Sequence, residues 1–359
     1  MGLQAPVYVA ALVLLVWGDV SFAGLSCMDK SGAPVDWFIV YKLPDDTSSK
    51  IERVKNGSAF LYMDVNSQAF EMSDVSLDNE NQAIGFTLQQ VYRNYKSQDL
   101  GYGMYNDEHP DGSESKTKGH TKGVVALDSS TGFWLVHSTP KFPNRGNGSY
   151  AWPDNARRNG QTFLCMTLNY DQFEEVGKQL RYTYPSTYDM KMPETLTSGL
   201  PSLVDGLNNK HVTQEPWNRT TVLKTKGGQQ FLSFAKFTKF YADLYSSWVA
   251  PYLGSDLYTE TWQDGAGKLP SCCNMTYKVL NVKESSISSM AIKETKDHSK
   301  WAVTTNSPNI KWACVGGINR QEHQSERGGG TVCVNLPNVW NAFHSAVTDW
   351  ERCNNNPYE

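Results

Sequence analysis

Residues 35–43 (VDWFIVYKL) form an almost unbroken apolar run of the length of a strand buried on both faces. From 83 to 95, Ile84, Leu88, Val91, Tyr92 and Tyr95 recur three to four positions apart, which predicts an amphipathic helix. The polar stretch 106–119 (NDEHPDGSESKTKG), with its Pro and Gly, reads as a surface loop that delivers the chain into His120. Asp171-x-x-Glu174 resembles a capping box and marks the start of a short helix. Pro, Gly and Asn are frequent in 185–218, which therefore reads as a linker between two halves. The longest helical pattern spans 229–253, where Phe231, Phe234, Phe237, Tyr241, Leu244 and Trp248 form an aromatic core stripe. On that reading Lys236 and Lys239 fall on another face, in solvent. Residues 327–330 (Arg-Gly-Gly-Gly) read as a flexible loop. No clear strand precedes them and no Gly-Lys-Ser/Thr follows, so they do not form a nucleotide-triphosphate loop.

One pattern occurs twice. His120-Thr-Lys122 opens the apolar run Gly123–Leu127, a turn ends at Gly132, and a second run leads to His137-Ser138. His298-Ser-Lys300 opens Trp301–Thr305, a turn spans 306–309, and a second run reaches Val315. Each is a His-x-Lys entering a strand, a turn and a returning strand. The repetition suggests two related halves facing each other, 24–185 and 186–359, behind a leader at 1–23.

That leader reads as a signal peptide. Val7 to Val16 form its apolar centre, and Ser21-Phe22-Ala23 supplies small residues around a cut after Ala23. It contains no Lys or Arg, and a buried N-terminal helix is the competing reading. Four sequons begin at Asn56, Asn147, Asn218 and Asn274, and all seven cysteines follow the cut, which together favour the secretory pathway. Seven cysteines leave one unpaired, and no Cys-x-x-Cys spacing suggests a metal site. No later stretch is long and apolar enough to span a bilayer. The formal charge is −4; loss of Asp19 with the leader and protonation of all seven histidines bring it to +4, so the chain attracts polyanions only in acid.

In a strand, residues i and i+2 share a face, so each motif presents an imidazole beside an ammonium. Two such pairs on opposite sides of a phosphodiester permit a two-step displacement. One neutral imidazole attacks phosphorus, while the other, protonated, gives its proton to the leaving oxygen. The lysines balance the growing charge on the phosphoryl oxygens. The motif is short enough to arise by chance, and surface strand starts with solvated histidines are the alternative.

The sequence resembles deoxyribonuclease II, a branch of the phospholipase D superfamily. The matching stretches are Gly32–Pro44 (GAPVDWFIVYKLP), Gly119–Leu127 (GHTKGVVAL), Gly132–Pro143 (GFWLVHSTPKFP), Gln214–Asn218 (QEPWN), Ser233–Phe240 (SFAKFTKF), Asp297–Trp301 (DHSKW) and Glu326–Cys333 (ERGGGTVC). The resemblance implies an α/β fold of two pseudo-symmetric phospholipase D-like halves, each a mixed sheet flanked by helices, with the active site at their interface. It implies metal-independent endonucleolytic hydrolysis of double-stranded DNA in acid, 3′-phosphate and 5′-hydroxyl ends, no cofactor, and lysosomal or secreted residence; it also admits a homodimer. Carried over by position, His120, Lys122, His298 and Lys300 form the core of the site, with His120 as nucleophile by superfamily analogy. Asn319 matches the downstream asparagine. His137 takes the equivalent place in the first half, with a hydrogen-bonded structural histidine as the alternative. The superfamily's Asp is replaced by Leu127 and Thr305, as in this branch. The resemblance also pairs Cys27 with Cys165, Cys273 with Cys353 and Cys314 with Cys333, leaving Cys272 over. The competing readings are a catalytically silent polyanion-binding relative and an acid phosphodiesterase that trims single strands from an end.

Overall fold

The computed structural model describes residues 24–305 and 310–353. The leader at 1–23 and the turn at 306–309 lie outside them. The fold is mixed α/β, with large sheets and few helices. One sheet runs, edge to edge, through Thr187–Lys191, Gly101–Tyr105, Lys122–Leu127, Thr131–His137, Gln161–Asn169, Trp37–Lys42, Phe60–Asp64 and Glu71–Met72, all antiparallel. The other runs through Asn218–Lys224, Gln230–Lys236, Gly329–Asn335, Trp312–Gly316, Trp301–Thr304, Leu257–Glu260, Val279–Ile287 and Met290–Lys293, with Val347–Trp350 paired to Val279–Ile287.

Alternation along each strand explains the layering. In Trp37–Lys42, the side chains Trp37, Ile39 and Tyr41 join a core between the sheets, together with Trp301, Val303, Val332 and the helices Gln172–Thr183 and Pro337–His344. Phe38 and Val40 point the other way, onto the helix Ala83–Asn94 and its Ile84, Leu88 and Val91. Leu232, Phe234 and Cys314 of the second sheet face Leu244, Val249 and Leu253 on its outer side. The apolar run at 35–43 is therefore two-sided, as its sequence indicated, and the helix over 83–94 forms on the predicted positions.

Other expectations are corrected. The segment 229–253 is not one helix: Gln230–Lys236 is a strand, Thr238–Phe240 is a single 3-10 turn, and a longer helical run forms only from Tyr245 to Leu253. Phe231 faces the inter-sheet core while Leu232 and Phe234 face the outer one, so aromatic residues serving two faces imitate helical spacing. Lys236 is not solvated but fully buried, whereas Lys239 is exposed as read. The segment 327–330 is not a free loop, because Gly329 and Gly330 begin a strand, and a Cβ at Gly330 would collide with the carbonyl of Phe234. The stretch 185–218 holds an edge strand of the first sheet and the helices Glu194–Thr197 and Pro201–Leu207 rather than plain linker. The helix after Asp171 runs three turns, and its capping box does not form, since Glu174 instead accepts the Ser202 backbone N–H (2.9 Å).

Three disulfides join Cys27 to Cys165, Cys273 to Cys353 and Cys314 to Cys333; Cys272 is a free, half-buried thiol. Asn56, Asn147 and Asn274 are exposed and Asn218 is half-buried. Among the described residues no helix is long and apolar enough to cross a membrane.

Candidate active site

Both His-x-Lys motifs sit where a hairpin of each sheet begins. Lys122 starts the strand Lys122–Leu127, and Lys300 immediately precedes Trp301–Thr304. His120, Lys122, His298, Lys300 and Asn319 line one cavity of about 840 Å³, with Asp107, Trp262 and Arg327. Residues 178 positions apart in sequence thus share one wall-to-wall space because the two hairpins open toward each other.

The His120 ring donates from Nδ1 to the Gly317 carbonyl. A carbonyl only accepts, so Nδ1 carries the hydrogen and the neutral ring keeps its lone pair on Nε2. That nitrogen stands 3.9 Å from Asp107 Oδ2. Asp107 also accepts from the Lys122 ammonium through Oδ1 and from Arg327 through Oδ2 (3.1 Å). Arg327 is held in turn by the carbonyls of Lys118 (3.0 Å) and Ser115 (3.1 Å). On the other side the His298 ring lies 4.7 Å from Trp262, and Lys300 donates to the His298 carbonyl at 2.5 Å. Asp297, just before His298, accepts from the Tyr41 hydroxyl and the Ser299 backbone (2.9 Å), which fixes the approach to the motif.

The charges follow from burial and crowding. Burial, then Lys300 and Lys122, push the His298 imidazole down to about 3. Burial also holds His120 well below its usual range, with Asp107 opposing and Lys122 and Lys300 reinforcing the shift. Lys300 is brought down to about 7 by burial and by Lys122. Burial alone would raise the Asp107 carboxyl, but Lys122, His120 and Arg327 outweigh it and keep it ionised. Asn319 is buried, and its side-chain oxygen has no hydrogen-bond partner. Around the two motifs the cavity sets the neutral imidazoles of His120 and His298 beside Lys122, Lys300 and Arg327, with Asp107 as their carboxylate, while Glu108, Glu114, Lys116 and His323 line the rest of it; the part between the motifs is suited to an added anion.

His137 is a different case. It lies opposite Lys122 in the hairpin but is not among the residues lining the cavity. Its fully buried ring stacks on Phe163 (5.3 Å), packs against Phe142 (5.7 Å) and accepts the Thr139 N–H (3.2 Å). The structural alternative describes this placement. Sequence reasoning missed Asp107, Arg327 and Trp262. Asp107 was hidden in a polar loop and Arg327 in a glycine run; neither spacing carries a signal. No group of three His, Cys, Asp or Glu side chains is placed to hold a metal among the described residues.

A family model described as Deoxyribonuclease II matches residues 26–353. This chain belongs to the deoxyribonuclease II family. It is a deoxyribonuclease II-type enzyme, a phosphodiester hydrolase. Plancitoxin-1 of Acanthaster planci is 51% identical over 332 residues, covering 92% of each chain. Deoxyribonuclease-2-alpha of Mus musculus is 45% identical over 349 residues, covering 95% of this chain and 97% of its own. Deoxyribonuclease-2-beta of Homo sapiens is 34% identical and covers 96% of both.

Proposed function

We propose that this protein cuts double-stranded DNA internally, in acid and without a metal, leaving 3′-phosphate and 5′-hydroxyl ends. The observation that carries the reading is the meeting of both histidines and both lysines of the repeated motif in one cavity. His120 Nε2, freed by the Nδ1 bond to Gly317, attacks phosphorus. The P–O5′ bond breaks, and the His298 imidazolium gives its proton to that oxygen. The 3′-phosphoryl group rests on His120 until water, deprotonated by His298, displaces it. Lys122, Lys300 and Arg327 balance the phosphoryl charge, the task a metal performs elsewhere. A bound phosphodiester supplies the negative charge that returns a proton to His298, and mild acid completes it. His137 is assigned to packing behind Lys122.

The same reading takes the two sheets as two phospholipase D-like halves, 24–185 and 186–359, with Thr187–Lys191 crossing back onto the first sheet. Exposed sequons and three disulfides support passage through the secretory pathway to a lysosome or the outside. The test is supercoiled plasmid at pH 5 in chelator, with the ends of the products analysed. Nicked and linear products whose 3′ ends need phosphatase before extension are expected. Binding without cleavage would favour the silent relative, release of nucleotides only from linear ends the trimming enzyme, and full dependence on magnesium a metal mechanism.

A further inference from the structure

Two lysines outside the cavity make one construction twice. Lys42 ends the strand Trp37–Lys42 and Lys236 ends Gln230–Lys236, and both are fully buried. The Lys42 ammonium donates to the carbonyls of Arg157 and Asn159 (2.7 Å for the latter). The Lys236 ammonium donates to those of Gln324 (2.9 Å), Ser325 (2.9 Å) and Arg327 (2.6 Å). Each loop so held leads into the strand beside its lysine's own, Gln161–Asn169 or Gly329–Asn335.

The two loops end in glycines with matching roles. The Gly160 carbonyl accepts the backbone N–H of His298 (3.0 Å), and the Gly328 carbonyl accepts that of His120 (2.8 Å). Each glycine therefore seats the histidine carried by the opposite sheet. Neither position has room for a side chain: a Cβ would collide with the Asp297 carboxylate at Gly160 and with the Thr183 carbonyl at Gly328. Arg327, in the loop held by Lys236, also reaches Asp107.

We propose that Lys42 and Lys236 are a pair of positioning residues, each fixing the loop that seats the reacting histidine of the other sheet. At Lys236 three carbonyls match the three hydrogens of an ammonium, whereas a neutral amine offers two and turns a lone pair toward the third oxygen; at Lys42 the same group meets two carbonyls. An apolar side chain would strand buried carbonyls. Burial is the main force on both groups and brings each to about 7. Asp45 and Asp297 favour the charge on Lys42, while Arg157 and Lys296 oppose it. Asp243 favours the charge on Lys236, while Arg327 opposes it, and the Phe240 ring lies 5.9 Å away. Both clamps are complete in acid and begin to lose their protons near neutrality.

The activity arm of the test rests on the proposed roles of His120 and His298; a second arm does not. Lys42→Met and Lys236→Met are made in the full-length protein and assayed on a small phosphodiester, bis(p-nitrophenyl) phosphate. A displaced histidine should lower kcat about 10- to 100-fold, with KM within about twofold of wild type. The histidine ring proton resonances are then followed against pH. Lys236→Met should shift the titration of His120 and spare His298, and Lys42→Met should do the reverse. Should a Met variant fail to unfold cooperatively, Lys42→Gln and Lys236→Gln, which keep an N–H donor, carry the same comparison. Wild-type kcat and pH profile in the variants, or both resonances responding alike to either change, would overturn the proposal. If wild-type protein cleaves no phosphodiester, the functional reading fails and the resonances alone decide on the clamps.

Discussion

On the mechanism proposed above, His120 and His298 need opposite protonation in an environment that penalises charge on both. Burial and the neighbouring lysines keep both rings neutral, with His298 near 3. Only an incoming anion can charge one of them at mild acidity, so binding and protonation are coupled. Inorganic phosphate should take up protons as it binds near pH 5, measurable by calorimetry in buffers of different ionisation enthalpy; no net uptake would remove this account. The Lys300 ammonium, present below about 7, is lost as pH rises through that value, so cleavage should fall toward neutrality even at saturating DNA. His120→Ala and His298→Ala should each lower kcat by on the order of 10²–10⁴-fold, with unchanged circular dichroism. Either variant retaining half of wild-type activity would rule out the two-histidine mechanism. Asp107 holds Lys122 and Arg327 with the negative charge a substrate phosphate would bring. Asp107→Asn should therefore let phosphate inhibit at lower concentration, even where turnover is reduced.

At the level of elements, the hairpins were legible and their surroundings were not. His-x-Lys followed by a short apolar run, a turn and a second apolar run indicated both strand entries, because local pattern and burial agree there. The strand Gln230–Lys236 misled because Phe231 and Phe234, which serve its two opposite faces, lie three positions apart and run into Phe237, so the aromatic spacing imitates a helix. Lys236 could not be recognised as buried, since its three acceptors are carbonyls about ninety residues away. Asp107 and Arg327 meet across the two sheets by tertiary approach alone, which no local spacing records. The odd count of seven showed that one thiol is left over, and only the family pattern named it as Cys272; Cys272 should react with iodoacetamide in unreduced native protein, and a bridged Cys272 on peptide mapping would contradict the structure. His137 locks the end of the first hairpin against Phe142 and Phe163. His137→Ala should cost about 2–4 kcal/mol of stability by leaving a cavity, seen as a lower denaturation midpoint.

The whole molecule carries −4 at neutral pH, and with His120, His137 and His298 held neutral by burial the other four histidines can at most bring it to zero, so it repels DNA less in acid and affinity should drop both with rising pH and with added salt. Stability should move the other way above neutrality. Lys42, Lys236 and Lys300 titrate near 7 in the folded chain against about 10.4 unfolded, so between those values the unfolded chain binds more protons and stability rises with pH. Glu260 and Asp297, raised by burial, contribute in the opposite sense, fully below the unfolded carboxyl range and less as pH climbs. With Cys272 blocked beforehand, the thermal midpoint at pH 9 should exceed that at pH 7; a lower one would mean the buried lysines are not depressed. The glycine seats bear on synthesis as well. His120 hangs from Gly328, more than two hundred residues downstream, and His298 from Gly160. A nascent chain that has emerged only as far as residue 300 already contains both motifs yet cannot hold its first histidine in place. With the proposed roles of the two histidines, an enzyme wired in this way is inert until nearly the last strand has been made, and a chain cut short by a premature stop would release no partly active nuclease into the cell that makes it.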